Sequence, residues 1–168
     1  MKVAIYSRGI DYEQENPLLA LLEELARYDT TVHLYEPLLH RFSLPQHLLA
    51  KTVLFQTSGD LTPDIDCLIS LGGDGTMLDA VTLVRDYNIP ILGINFGRLG
   101  FLASISRDDL GSAVDALVNH TFVVDKRTLI HLDSNEPLFD QTPFAPVSYT
   151  HLRAHETPEH LVCRLLLE

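Results

Sequence analysis

Hydrophobic residues along the first 120 positions repeat with two alternating periods, one typical of strands and one typical of helices. Residues 2–7 form a short apolar run of strand length, and residues 18–26 then carry apolar side chains at helical spacing. Asn16 and Pro17 come just before this stretch and suit the cap and the first position of a helix. Another apolar run follows at 31–35, so the sequence predicts a β-α-β unit at the start of the chain.

The same alternation continues through the middle of the chain. Residues 65–71 are continuously apolar, which is typical of a strand buried on both faces of a parallel sheet. Helical spacing follows at 76–87, and the apolar run at 89–95 predicts the next strand. Ser106 and Asp109 have the spacing of a capping pair, so we expect a further helix to begin there.

Two regions break this alternation. Residues 36–63 are interrupted by prolines and predict only short helices and connections. Residues 121–133 form a long extended run, and helical rhythm returns only in 157–168. We therefore expect an α/β domain at 1–120, an open, mostly parallel sheet flanked by helices, followed at 121–145 by the truncated start of a β-rich second domain.

Composition narrows the class of protein. With 46% hydrophobic and 21% charged residues, the 168-residue chain has the composition of a globular protein. A formal net charge of −11, with only 12 Lys and Arg, disfavours nucleic acid and anionic membranes as partners. The chain shows neither a signal-peptide pattern nor an apolar window near the ~20 residues of a membrane span, so we expect a cytoplasmic location.

A glycine cluster, "GGDGT" at 72–76, lies between a predicted buried strand and a predicted helix. Glycines let the backbone approach a phosphate at a helix N-terminus, although neither a P-loop nor a G-x-G-x-x-G pattern is present. A carboxylate is unfavourable beside a phosphate, so Asp74 is better explained by a hydroxyl that must lose a proton or by a metal ion. The alternatives are that the glycines form only a tight turn and that Asp74 only caps the following helix.

A second glycine cluster, "GINFGRLGFL" at 93–102, follows the next predicted strand and should reach the same edge of the sheet. One interpretation is an apolar wall beside a nucleotide, with Arg98 close to it. In the other interpretation Phe96, Phe101 and Leu102 return to the core, and Arg98 is a solvated surface charge.

Together the two clusters resemble the NAD kinase family, and "VVDKRTLIHLDSN" at 123–135 resembles the segment with which that family enters its second domain. The resemblance covers about residues 1–145. It implies ATP-dependent phosphorylation of the 2′-hydroxyl of the adenosine ribose of NAD, which gives NADP. It also implies a divalent metal ion, Mg²⁺, and a homo-oligomeric full-length enzyme whose partners are small-molecule nucleotides.

The resemblance implies a role for each matching residue. Asp74 is the family's candidate general base for the ribose hydroxyl, and Phe101 matches an aromatic residue that lines the adenine side of the NAD site. The residues implied in the phosphate-contacting loop are Gly72, Gly73, Gly75 and Thr76. Those that shape the second loop are Asn95, Gly97, Arg98 and Gly100. No metal-ligating residue is implied.

The resemblance ends at Ala145, where the family would continue into an Asn-Glu pair that holds NAD. Residues 146–168 instead resemble a recurrent spurious translation at the ends of unrelated reading frames, and we interpret them as a non-native tail. Half of the NAD pocket would then be absent, so we expect little NAD kinase activity from residues 1–168 alone.

Two other functions stay open on the sequence. A lipid kinase that shares the "GGDGT" loop would use Asp74 to phosphorylate a diacylglycerol or sphingoid hydroxyl. A non-catalytic nucleotide-binding module would need Asp74 only as a helix cap.

Overall fold

The structure is a computed structural model that describes residues 1–9, 17–40, 43–97, 100–131, 144–146 and 160–166. The strands are β1 (Lys2–Tyr6), β2 (Thr31–Tyr35), β3 (Thr52–Phe55), β4 (Cys67–Leu71), β5 (Ile91–Asn95), β6 (Ile105–Ser106), β7 (Val123–His131), β8 (Phe144–Pro146) and β9 (His160–Leu166). The α-helices are α1 (Pro17–Ala26), α2 (Gln46–Leu49), α3 (Asp74–Val84) and α4 (Leu110–Val118). Short 3-10 helices cover Glu36–Leu38, Ser58–Asp60 and Arg107–Asp109.

The sheet is parallel through its first six strands, as the sequence predicts. Its order is β3-β2-β1-β4-β5, with β6 beside β5, and each neighbouring pair in this part is parallel. Strands β7 and β9 extend the sheet beyond β5 and pair antiparallel with each other. The expected open, mostly parallel α/β sheet is therefore confirmed.

Two hydrophobic cores lie on the two faces of this sheet because successive strand residues point to opposite sides. In β1, Val3 and Ile5 join the core that α1 and α4 cover. Ala4 and Tyr6 join the core that α3 covers. Strands β4 and β5 are buried at every position, which explains their continuous apolar sequences.

Most predicted elements lie within two to three residues of the observed ones, and α1 begins at Pro17 as expected, while Asn16 lies outside the described residues. The prediction for 36–63 was incomplete, because β3 forms there at the edge of the sheet. The predicted cap was wrong in detail: the Ser106 hydroxyl donates to the Asp109 carboxylate at 2.6 Å, and a 3-10 turn separates Ser106 from α4.

The end of the chain also differs from the prediction. The helical rhythm at 157–168 predicted a helix, but His160–Leu166 form strand β9, which pairs with β7 from Leu129 to Val123. The pairing of β7 outweighs a weak local helical preference. The division into residues 1–120, 121–145 and 146–168 stays a prediction.

Cys67 offers a direct test of the packing around β4. Its side chain is fully buried, and burial raises the pKa of its thiol. In a Cys163→Ser variant at pH 8, we expect Ellman's reagent to react on the order of 10²-fold or more slowly with the native protein than with the urea-unfolded chain, because only an opened molecule exposes the thiolate. Equal rates with and without urea would contradict the buried position of β4.

Candidate functional site

The strand order reverses beside β1, and this reversal creates a topological switch point at the carboxyl edge of the sheet. The chain runs from β1 outward through β2 and β3, then returns to β4 on the other side of β1 and continues to β5. Open α/β sheets bind ligands at such a switch point. The ends of β1 and β4 are tied together there, because the Ser7 hydroxyl donates to the Leu71 carbonyl at 2.7 Å.

The "GGDGT" loop follows β4 at this switch point. Gly72 has a φ of 146°, and a Cβ built on it would lie 3.0 Å from Thr76 Cβ and nearer still to its hydroxyl. Only glycine meets both requirements. By contrast, a Cβ on Gly73 would have no atom within 4 Å, and Gly75 is exposed. The loop is thus tightly shaped at its start and open where a ligand could approach.

Helix α3 begins at the end of this loop, with Gly73 in the cap position. The first turn of a helix leaves N–H groups without intrahelical acceptors, and the helix dipole adds partial positive charge. An anion such as a phosphate is favoured at this position.

Asp74 is the first residue of α3, and its carboxylate binds the second glycine loop. The N–H of Phe101 donates to Oδ2 at 2.9 Å. The N–H groups of Leu102 and Ala103 donate to Oδ1 at 2.9 and 3.1 Å. Gly73 holds the cap position and Asp74 is the first helical residue, so the alternative in which Asp74 merely caps the helix does not describe its hydrogen bonds to the second loop.

Two glycines make this close approach possible. A Cβ on Gly100 would lie 2.6 Å from Asp74 Cγ and nearer still to Oδ1. A Cβ on Gly93 would lie 2.9 Å from the Ala103 Cα atom and 3.2 Å from the Met77 sulfur. The second loop therefore packs against both β5 and the start of α3 because these positions lack side chains.

The large apolar residues of the second loop divide into two groups by their exposure. Phe96 and Leu102 are partly buried against the two cores, as the core interpretation of this loop predicted. Phe101 is 91% exposed, so that interpretation was wrong for Phe101. The exposed Phe101 ring offers an apolar surface beside the "GGDGT" loop that a ligand could contact.

Two further sequence candidates, Asn95 and Thr76, lie at the same edge. Asn95 is buried at the end of β5, and its Oδ1 accepts a hydrogen bond from the Gly97 N–H at 2.9 Å, which stabilises the turn into the second loop. Thr76 is buried under Gly72. Arg98 lies outside the described residues.

Sequence reasoning missed Arg8, which follows β1 and lies close to the "GGDGT" loop. Its Nη1 lies 4.0 Å from the position of a Cβ on Gly75, and its Nε lies 3.4 Å from Asp79 Oδ2. The Tyr6 hydroxyl donates to the same carboxylate oxygen at 3.4 Å. Burial and the Asp79 carboxylate raise the pKa of Tyr6, so its hydroxyl stays protonated. The position of Arg8 directly after a predicted strand was the signal that could have identified it.

The described residues contain no group of three or more His, Cys, Asp and Glu side chains that could hold a metal ion. The Asp74 carboxylate also accepts hydrogen bonds from three backbone N–H groups. These residues do not fit a metal site built by protein ligands, and we assign no metal ligand among them.

The strand order and the two glycine loops define an α/β domain of the nucleotide-binding type. The family model described as the ATP-NAD kinase N-terminal domain matches residues 49–122. The chain is 49% identical over 80 residues to the NAD kinase of Cytophaga hutchinsonii, covering 48% of this chain and 27% of that one. It is 35% identical over 134 residues to the NAD kinase of Flavobacterium psychrophilum, covering 79% and 45%. Residues 49–122 therefore match the N-terminal domain of the ATP-NAD kinase family, and the chain is similar to NAD kinases over about half of their length or less.

Solved structures agree on the fold. Yeast NADH kinase complexed with NADH superposes with a TM-score of 0.61 at 20% identity, over 86% of this chain and 46% of that one. An NAD kinase from Archaeoglobus fulgidus in complex with ATP gives a TM-score of 0.50 at 22% identity, over 76% and 41%. The chain spans about half the length, or less, of the proteins it matches.

The close packing at Gly100 gives a prediction about stability. We expect Gly100→Ala to lower the free energy of unfolding by about 1–3 kcal/mol, because the new methyl group overlaps the Asp74 carboxylate. Gly111→Ala is the matched control, since its Cβ meets nothing within 4 Å and the helix α4 should gain up to about 1 kcal/mol. Urea unfolding followed by circular dichroism measures both, and equal midpoints for the two variants would contradict the packing.

Proposed function

We propose that this chain is the nucleotide-phosphate half of an NAD kinase, which transfers the γ-phosphoryl group of ATP to the 2′-hydroxyl of the adenosine ribose of NAD. The observation that carries the proposal is the position of Asp74. It stands at the N-terminus of α3, in a glycine loop at the switch point, and is oriented by the second glycine loop. The match of residues 49–122 to the ATP-NAD kinase N-terminal domain supports the same reaction.

On the phosphate side of the reaction, the chain would use backbone N–H groups at the start of α3 and the side chain of one arginine. The open positions Gly73 and Gly75 let phosphate oxygens approach the start of α3, where the helix dipole favours negative charge. Arg8 is close to Gly75 and adds a full positive charge on the opposite wall. Phosphoryl transfer depends mainly on such positioning and charge stabilisation.

The acceptor side would use Asp74 and Phe101. The Asp74 carboxylate accepts the proton of the ribose hydroxyl while the oxygen forms its bond to the γ-phosphorus and the bond to ADP breaks. The exposed Phe101 ring offers an apolar surface for adenine. The buried Asn95 holds the turn between β5 and this wall.

ATP and NAD are the proposed nucleotides, which agrees with the ATP and NADH named for the two solved relatives. The proposed Mg²⁺ would be carried by the ATP phosphates, where it would neutralise charge, since the described residues offer no cluster to hold it. Homo-oligomeric assembly and a cytoplasmic location stay predictions. Within the described part of the chain, no helix is long and apolar enough to cross a bilayer.

Neither alternative function gains support. The relatives above are named NAD kinase or NADH kinase, and no feature of the site favours a lipid hydroxyl. A module in which Asp74 is only a helix cap disagrees with its hydrogen bonds to the second loop.

A chimera tests the proposed reaction. We expect the Flavobacterium psychrophilum NAD kinase to keep forming NADP from NAD and ATP when the matched residues of this chain replace its own. Asp74→Asn in the chimera should lower kcat by about 10²–10⁴-fold, because the amide cannot accept the proton. Asp86→Asn, an exposed residue beyond α3, is the control and should leave kcat unchanged. NADP formation at equal rates in both variants would exclude Asp74 as the base.

Arg8 gives a separate test of the phosphate side. In the same chimera we expect Arg8→Gln to raise the KM for ATP about tenfold and to leave the KM for NAD nearly unchanged, since a charged hydrogen bond to phosphate is lost. Arg27→Gln is the control, because Arg27 pairs with Glu24 on α1 at 2.8 Å. Similar KM values for ATP in the two variants would remove Arg8 from the site.

A further inference from the structure

Asp79, on the second turn of α3, contacts two side chains that come from the end of β1. The Tyr6 hydroxyl donates to its Oδ2 at 3.4 Å, and the Arg8 Nε lies 3.4 Å from the same oxygen. One carboxylate oxygen therefore joins a tyrosine and an arginine that are two residues apart in the sequence.

The tyrosine end of this contact is held by the core. Tyr6 is 8% exposed, and its ring meets the Tyr35 ring edge-on, with the two centroids 4.9 Å apart. The Tyr35 ring in turn lies 5.6 Å from the ring of the buried Phe55. Aromatic pairs of this kind favour particular ring orientations. The hydroxyl that reaches Asp79 thus belongs to a side chain that packing fixes in place.

The arginine end reaches the start of α3. The backbone just before Arg8 is tied down, because the buried Ser7 hydroxyl donates to the Leu71 carbonyl at 2.7 Å. The ion pair with Asp79 engages Nε, while Nη1 lies 4.0 Å from the position of a Cβ on Gly75. Because the guanidinium is planar and rigid, a contact that fixes Nε also directs the Nη atoms.

We infer that Asp79 is a positioning residue for Arg8: its carboxylate, held by Tyr6, orients the guanidinium so that Nη1 lies beside Gly75. The use of that guanidinium, contact with the phosphates of ATP, rests on the proposed function; the orientation itself does not. Asp79 lies five residues beyond Asp74, about 7.5 Å farther along the helix axis. It can therefore hold the arginine from behind the place of a phosphate.

The charge of Asp79 gives this inference a distinctive sign. A carboxylate on the same helix repels a bound phosphate, so repulsion alone predicts that Asp79→Asn strengthens ATP binding. Positioning predicts the opposite, because an Arg8 side chain that occupies its binding rotamer for a smaller fraction of the time binds phosphate more weakly. The direction of the change separates the two effects.

Relaxation of the Arg8 Nε–H group, measured by ¹⁵N NMR on the 168-residue chain without nucleotide, tests the orientation directly. The signal is identified by its loss in Arg8→Gln. We expect Asp79→Asn to lower the heteronuclear NOE of this group, because the amide keeps the shape of the side chain and loses the charge that holds Nε. Tyr6→Phe, which removes only the hydroxyl, should lower it less. Asp86→Asn, an exposed position beyond α3, is the control and should leave it unchanged. An unchanged NOE in Asp79→Asn would overturn the inference.

A double-mutant cycle in the Flavobacterium psychrophilum chimera tests whether Asp79 acts through Arg8. We expect Asp79→Asn to raise the KM for ATP about three- to fivefold, the range of an exposed ion pair, and to leave the KM for NAD nearly unchanged. In the Arg8→Gln background the same substitution should change the KM for ATP by less than about twofold, because no guanidinium is left to orient.

Two outcomes of the cycle would contradict the inference: a fall in the KM for ATP, or an equal rise in both backgrounds. A chimera that forms no NADP would count against the proposed reaction instead. The NOE measurement uses no nucleotide, so it would then decide by itself whether Asp79 orients Arg8.

Discussion

The site depends on one interaction, the acceptance of three backbone N–H groups by the Asp74 carboxylate. The sheet brings the ends of β4 and β5 side by side, but parallel strands alone do not determine how their loops meet. The carboxylate provides that contact. Glycine at positions 93 and 100 follows from it, because any side chain there would separate the second loop from β5 or from α3.

The sequence predicted the inner strands well and the outer ones poorly, for a physical reason. Strands β1, β4 and β5 are buried on both faces, so their apolar runs are nearly continuous and easily recognised. Strand β3 lies at the edge, and Val53 and Leu54 are 47% and 44% exposed. Its four residues follow no clear period, so neither alternation nor burial marked it. Strand β9 depends on pairing with β7, a contact that local sequence does not encode.

The candidate site could be located from sequence but not built from it. Glycines after two consecutive buried strands placed both loops at one edge of the sheet, and the structure agrees. The link from Asp74 to the second loop spans at least 27 residues, and the hydrogen bonds are to backbone N–H groups, which every residue but proline carries. No residue type marks such a contact. Arg8 was missed for a similar reason, since its importance comes from the strand order that places β1 beside β4.

The same hydrogen bonds explain how an aspartate can be tolerated in a loop whose geometry favours phosphate, although the two negative charges repel each other. A phosphate charge about 4 Å from a carboxylate costs about 1 kcal/mol in water and about 4 kcal/mol at an effective dielectric of 20. Hydrogen bonds to charged groups contribute about 1.5–3 kcal/mol each, and Asp74 accepts three of them. The second loop thus stabilises the carboxylate by at least as much as a phosphate would destabilise it. A negative charge can be tolerated beside a bound phosphate because N–H groups of the loop between β5 and β6 stabilise it.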